Sequence, residues 1–289
     1  MFLLPFAAFF ALSFLIPIGM SVRASFYRDR PVGGGLYAGG KTAEAFAGFG
    51  NYEAALHRQE FWAGLGRVVL LGAFQIPVMI GAALTVALII DSGLIRRPTL
   101  FRLGVFLPYA VPGVVAALVW TYIYSPELSP INQALGHLGT TVDFFAPRTV
   151  LVSIANMTTW TFTGYNMLVF LAALQAIPRE LYEAAKMDGA SEWDVVRRVK
   201  VPLVGRAMLL AILLSIIGTI QLFNEPTVMA AVNPSMGHAY TPMMMAYNTM
   251  TGALSPSGAG PASALSILMA LVAAGLAFAY TLIQRRSLA

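Results

Sequence analysis

The chain has no cysteine and only three histidines among 289 residues. The first absence excludes a disulfide framework and thiol chemistry, and says nothing about compartment. Charge is also scarce: 11% of residues are charged, where an ordinary soluble domain carries about a quarter. With 58% of residues hydrophobic and a mean hydropathy of +0.72, so little charge cannot make a water-facing surface. Most of this surface therefore faces lipid. The charges are unevenly spread, with no Asp, Glu, Lys or Arg in 68–90, 103–125 or 149–178. A run of about 18 or more uncharged, mostly apolar residues reads as a membrane-spanning helix. No Gly-x-x-x-x-Gly-Lys-Ser/Thr loop is present to cradle ATP phosphates, and no His-Glu-x-x-His to hold zinc. The alternation of a membrane β-barrel is absent too.

Six spans follow, at 2–22, 67–90, 102–124, 149–177, 205–225 and 263–284. At ~1.5 Å per residue each crosses a hydrocarbon core of about 30 Å. Unpaired backbone groups are costly in lipid, so the spans are helices. The expected fold class is an all-α membrane protein of six transmembrane helices, with 1–289 as a single membrane domain and no soluble one. Residues 1–22 read as a span and not a cleaved signal, because no basic segment precedes the apolar run and no small-residue cleavage site follows it.

Position matters more than the net charge of +5. Arg96, Arg97, Arg179, Lys186, Arg197, Arg198, Lys200, Arg285 and Arg286 all fall on one side if the N-terminus is inside, while 226–262 has no Lys or Arg. Arg102 and Arg206 sit at the inner ends of their spans. The positive-inside rule then places both termini in the cytoplasm. Nucleic acid is excluded as a partner, because the arginines flank apolar runs and form no single face.

The first outer loop, 23–66, carries Pro31-Val-Gly-Gly-Gly35 and Gly39-Gly40 and reads as flexible. Asn51–His57 and Phe61–Leu65 read as short interfacial helices. Pro77, Pro108 and Pro112 fall inside expected spans, where they are tolerated but can kink the helix. The outer loop 226–262, rich in Pro, Gly, Ser and Met, reads as irregular. Met243, Met244 and Met245 within it suit packing better than contact with a partner, and His137 and His238 are surface residues.

The charged stretch 179–204 is the most informative. Pro178 ends the fourth span, because the residue before proline avoids the helical region. Arg179–Met187 reads as a short helix with Glu180 and Glu183 suited to its dipole. Gly189 ends it in the left-handed region. Ser191 with Asp194 three residues on reads as a capping box, with Asp for the usual Glu. Trp193, Val196 and Val199 recur on one face of a second helix, and Pro202 is expected to stop it. On charge alone, this is an ordinary solvated loop.

The spacing adds more. Glu183-Ala184-Ala185, two residues, Asp188-Gly189-Ala190, then Trp193, Val196, Val199 and Pro202 resembles the signature loop of ABC-type importer permeases. It lies between the third-last and penultimate spans, where that family has it. Val196 departs from the family's frequent Phe, conservatively. Leu3-Leu-Pro5, Phe49-Gly-Asn-Tyr52, Tyr124-Ser-Pro-Glu-Leu-Ser-Pro-Ile-Asn132 and Leu174-Gln-Ala-Ile-Pro178 resemble the carbohydrate-uptake, maltose-type branch. The resemblance implies a type I importer bundle in a bacterial or archaeal plasma membrane, with coupling helices. Glu183, Ala184, Ala185, Asp188, Gly189, Ala190, Trp193 and Pro202 would grip a cytoplasmic ATPase. The implied partners are a dimer of ATPase subunits, a second permease subunit of different sequence, an extracytoplasmic binding protein, membrane lipid and a sugar. This chain would bind no cofactor; ATP and magnesium would sit on the ATPase.

Polar groups inside spans are costly and mark either a pathway or helix-to-helix bonding. The threonines Thr158, Thr159, Thr161 and Thr163 suit the second role. Asn156, Trp160, Tyr165, Gln221 and Asn224 suit either, since amides and an aromatic platform match a sugar's hydroxyls and C–H faces. Glu225 falls at the outer end of its span, where capping or snorkelling competes with a solute role. The solute could instead be a polyol, an amino acid or a sugar phosphate, though the span interiors hold no Arg or Lys for a phosphate. An ion-coupled carrier would need an intramembrane carboxylate, and Asp91 and Glu225 are the carboxylates near span ends.

Overall fold

The computed structural model describes residues 3–31 and 42–287, so the glycine-rich stretch of the first loop lies outside the described residues, apart from Pro31. The described chain is helical apart from one antiparallel hairpin. Four helices are long and apolar enough to cross a membrane, and six spans result if each of two bent pairs counts as one. Contacts divide the chain into two compact units, 1–68 with 220–223 and 236–275, and 69–219 with 224–235 and 276–289.

In the first unit, α1 (Leu3–Phe10) and α2 (Ile16–Ser25) join through a π-type turn, Ala11–Leu15. The loop that follows holds structure that the sequence pattern did not suggest: β1 (Tyr27–Pro31) pairs with β2 (Thr42–Phe46), Tyr27 opposite Phe46. It is clamped by α3 (Gly50–Leu56), whose Asn51 is 1% exposed. Asn51 donates to the Ser25 and Tyr27 carbonyls at 2.8 and 2.7 Å and accepts from Arg28 Nε at 2.8 Å. An amide placed this way meets its own needs while capping two free carbonyls. Segment 61–65, expected as a separate helix, is part of α4 (Gln59–Asp91). The loop 226–262, expected to be irregular, is about half helical. It holds α13 (Pro242–Met250), with Thr241 Oγ1 accepting from the Met244 N–H at its start. Met244 and Met245 are buried, as expected for packing. The unit closes with most of α14 (Ala259–Ser287).

The second unit is built on α4, α8 (Val150–Gln175) and α11 (Val201–Ile220). Ala83, Ala87, Ile90, Met167, Phe170, Leu174 and Val204 form its core. α5 (Pro98–Ala110) lies against α8. Close approach is possible because Gly164 has no side chain; a Cβ there would overlap the Val105 carbonyl oxygen and lie 2.7 Å from Phe106 Cα. The third span differs from the expected single helix at 102–124. α5 and α6 (Gly113–Tyr124) meet at 96°. Val111 is extended before Pro112, and Pro112 cannot return a hydrogen bond to Pro108, so the helix stops at Ala110. α7 (Pro130–Gly136) and α12 (Asn224–Ala230) complete the unit, α12 packing on α6 and α8.

Candidate functional site

Pro178 turns the chain by 69° between α8 and α9 (Arg179–Met187). Gly189 then adopts φ +82°. Its N–H bonds to the Lys186 carbonyl, and the Ala190 N–H to the Ala185 carbonyl, both at 3.0 Å. This 5→2 and 6→1 pair is a complete Schellman end. One residue later Ser191 caps α10 (Glu192–Val195). Ser191 Oγ accepts from the Asp194 N–H at 3.2 Å, and Asp194 Oδ2 accepts from the Ser191 N–H at 3.3 Å. The expected capping box is present, and the two helix ends meet within four residues, 188–191.

α10 runs on without interruption through a π-type turn, Val196–Lys200, into α11. Pro202 therefore does not stop the helix, contrary to expectation. The Val201 N–H reaches back five residues to the Val196 carbonyl. That widened turn displaces the carbonyl that the proline ring would otherwise strike. The same turn precedes Pro17 in the first span.

Lys186 and Glu192 face each other across the bend at 2.5 Å, and Arg198 reaches Asp194 at 3.5 Å. The Lys186 hydrogen bond, then its charge, holds the Glu192 carboxyl below the usual range, and the Ser191 hydroxyl and N–H do the same for Asp194. Both carboxyls are exposed, so these contacts orient the loop more than they stabilise it. Substituting Ser191 with Ala should cost about 1 kcal/mol of local stability. Hydrogen exchange should then run about fivefold faster at the first amides of α10. Unchanged exchange there would show that the box does not hold the turn.

Of the residues expected to dock a partner, Glu183, Ala184, Asp188, Gly189, Trp193 and Pro202 are exposed; Ala185 and Ala190 are half-buried. Trp193 is 71% exposed. The residue that α10 buries is Val195, with Val196 and Val199 only half-buried, so the expected Trp193 face is not one packed stripe. Met187, 88% exposed, and Leu181 join Trp193 as apolar groups on this charged loop. The signal that would have found Met187 is its place at the last helical residue before the bend.

The polar residues of the spans divide. Asn156 Nδ2 donates to Tyr124 Oη at 2.8 Å. Trp160 meets Trp120 edge to face at 5.7 Å, and Trp120 in turn lies 5.3 Å from Tyr124. Tyr124 stacks on Phe144. Trp120 Nε1 and Thr121 Oγ1 are buried without a partner. α6 and α8 thus share an aromatic cluster carrying an amide and spare hydrogen-bonding groups. Trp120 and Tyr124 were missed because α6 reads as plain apolar span. Tyr165 stands apart. Nine residues from Asn156 is about 180° round the helix, and Tyr165 stacks on Tyr109 of α5 at 4.9 Å. Gln221 is exposed beyond the end of α11. Asn224 opens α12 with its amide against Gly113, where a Cβ would come within 2.9 Å. Glu225 is buried, 8% exposed, and does not snorkel. Thr158, Thr161 and Thr163 donate to carbonyls of their own helix, at Ile154, Met157 and Thr159. Among the described residues no group of three or more His, Cys, Asp or Glu could hold a metal.

Apolar spans joined by a doubly capped, charged elbow define a membrane permease that carries no ATP-binding loop of its own. Residues 95–288 match the model of the binding-protein-dependent transport system inner membrane component, and the chain belongs to that family. It is a transport subunit, not an enzyme. It is 34% identical over 197 residues, 66% of this chain and 65% of the other, to the lactose transport system permease protein of Rhizobium radiobacter. It is 30% identical to the trehalose/maltose transport system permease protein of Thermococcus litoralis, over 83% and 80% of the two chains. In fold it is similar to a bacterial ABC transporter that imports the acidic polysaccharide alginate, with TM-score 0.77 and 20% identity over 99% of this chain and 94% of that one.

Proposed function

We propose that this chain is one of two permease subunits enclosing the pathway of an ATP-driven sugar importer, for a di- or oligosaccharide handed over by an extracytoplasmic binding protein. The observation that carries the proposal is the elbow at 179–204. Its exposed Glu183, Met187, Asp188 and Trp193 have no packing role in this chain and suit a cleft on a cytoplasmic ATPase. Both termini are then cytoplasmic. A dimer of ATPase subunits binds the ATP and magnesium, and the second permease is a different chain. All 289 residues act as one permease domain. ATPase closure on one side and the loaded binding protein on the other bias a two-state bundle.

Sugar as the solute is supported by the lactose and trehalose/maltose relatives and by the α6–α8 cluster. Trp160 and Trp120 offer faces for C–H contact, and the exposed Asn156 offers a donor. Asn224, Gln221, Tyr165 and Glu225 are further candidates. Uptake into proteoliposomes containing the assembled importer tests this. Labelled lactose, trehalose or maltose should enter only with internal ATP and should be indifferent to ionophores. Trp160→Ala should raise the half-saturating concentration about tenfold, the loss of one aromatic contact of about 1.4 kcal/mol, while ATPase recovery stays normal. Uptake driven by an ion gradient without ATP would point to the buried Glu225 and an ion-coupled carrier. Entry of a polyol in place of these sugars would keep the importer and change the solute.

A further inference from the structure

One contact reaches out of the elbow into the bundle. Lys200 Nζ lies 2.7 Å from Asp91 Oδ2, 109 residues away in sequence. Both side chains are nearly buried, 12% and 15% exposed, unlike every other ion pair among the described residues. Lys200 Nζ also stands 5.1 Å from the ring centre of Tyr182. Tyr182 Oη is buried without a hydrogen-bond partner.

The three residues belong to three elements. Asp91 is the last residue of α4, the half-buried Tyr182 lies on α9, and Lys200 ends the π-type turn leading into α11. The core containing Ile90, Leu174 and Val204 begins one to eight residues away from them along the chain. A mobile surface pair would transmit no force, because water replaces it at little cost. A pair shielded from water does not part cheaply, since each ion would be left without its counter-charge. α4 has no other polar side-chain contact with 179–204 among the described residues.

We infer that the Asp91–Lys200 pair, braced by the Tyr182 ring, is the polar link that, beside the apolar packing of α4 on α11, makes α4 follow the elbow, so that ATPase motion moves the bundle and not the loop alone. These are positioning residues, touching neither solute nor ATP. The inference rests on the docking reading of 179–204. It differs from that reading in its consequence: breaking the link should leave the ATPase bound and let it hydrolyse ATP without transport.

The experiment uses the complete importer in proteoliposomes with its binding protein. Asp91→Asn and Lys200→Met are compared with the exchange Asp91→Lys with Lys200→Asp, and with Tyr182→Leu. ATPase retention, ATP hydrolysis and sugar uptake are measured on each. Sugar moved per ATP should fall about tenfold in both single variants, within the range of measured coupling energies, with ATPase retained. The exchange should recover most of that ratio, and Tyr182→Leu should lower it less. An unchanged sugar-to-ATP ratio in both single variants would overturn the inference and leave docking intact. Loss of the ATPase in the singles without recovery in the exchange would also overturn it, by assigning the pair to elbow structure. Failure of the docking reading shows separately, as no ATPase bound to the unaltered chain.

Discussion

Gly189→Val should strip the ATPase from the solubilised complex, lowering its recovery with the tagged chain at least about tenfold. Gly189 sits at φ +82° and donates one of the two bonds that close α9. A β-branched residue there costs roughly 1–2 kcal/mol for the left-handed backbone alone. The chain can escape only by unwinding the helix end and turning the exposed Met187, Asp188 and Trp193 away from one another. Crowding inside the chain is not the cause, because nothing lies within 4 Å of where a Cβ would stand. That separates two explanations. Gly189→Asn tolerates the left-handed region and should keep most of the ATPase if geometry is what matters. Equal loss with Asn and Val would mean that the partner itself packs against Gly189. Full retention with Val would remove the elbow as the docking element.

Gly164→Ala should be one of the two most damaging single methyls in the described chain, the other being Gly260→Ala, whose added carbon would overlap the Tyr27 carbonyl oxygen. At Gly164 the added carbon would overlap the Val105 carbonyl oxygen, with Phe106 Cα 2.7 Å away. These are backbone atoms of α5, so no side chain can rotate aside. α5 and α8 would have to separate along their shared length, and the α8 contacts with α4 nearby would loosen. Overpacking usually costs 1–3 kcal/mol and occasionally more; about 3 kcal/mol is expected here. The thermal midpoint should drop by about 6–12 °C. Gly81→Ala, on α4 with nothing within 4 Å of its new carbon, is the control; it should shift the midpoint by less than about 2 °C. Equal shifts at the two positions would show that α5 does not lie on α8 as described.

Some elements were legible because the local chemistry left no alternative. Asp188-Gly189-Ala-Ser191 needs no tertiary contact to end one helix and begin another: a left-handed glycine and a Ser–Asp box do that alone. The uncharged runs mark spans for the same reason, since lipid punishes each charge wherever the helix sits. Pro202 misled because proline was read as a stop, whereas a π-type turn one residue upstream lets the helix pass. Pro112 did break its helix, because it lies four residues after Pro108 and follows an extended Val111. A composition rich in Pro, Gly, Ser and Met predicted an irregular loop at 226–262, but Thr241 caps α13 and Met244 and Met245 are buried.

The sequence by itself determined the membrane class, the approximate spans and the elbow, because hydropathy, capping and turn chemistry act over a few residues. It also carried the family signature. The tertiary structure decided what depends on which helix faces lie together. It put Asn156 and Trp160 with Trp120 and Tyr124, and Tyr165 against Tyr109 of α5. It showed that Gly164 is a point of backbone contact, and it paired Lys200 with Asp91. Those facts turn on rotation about helix axes and on contacts across about a hundred residues of chain, which no local pattern encodes.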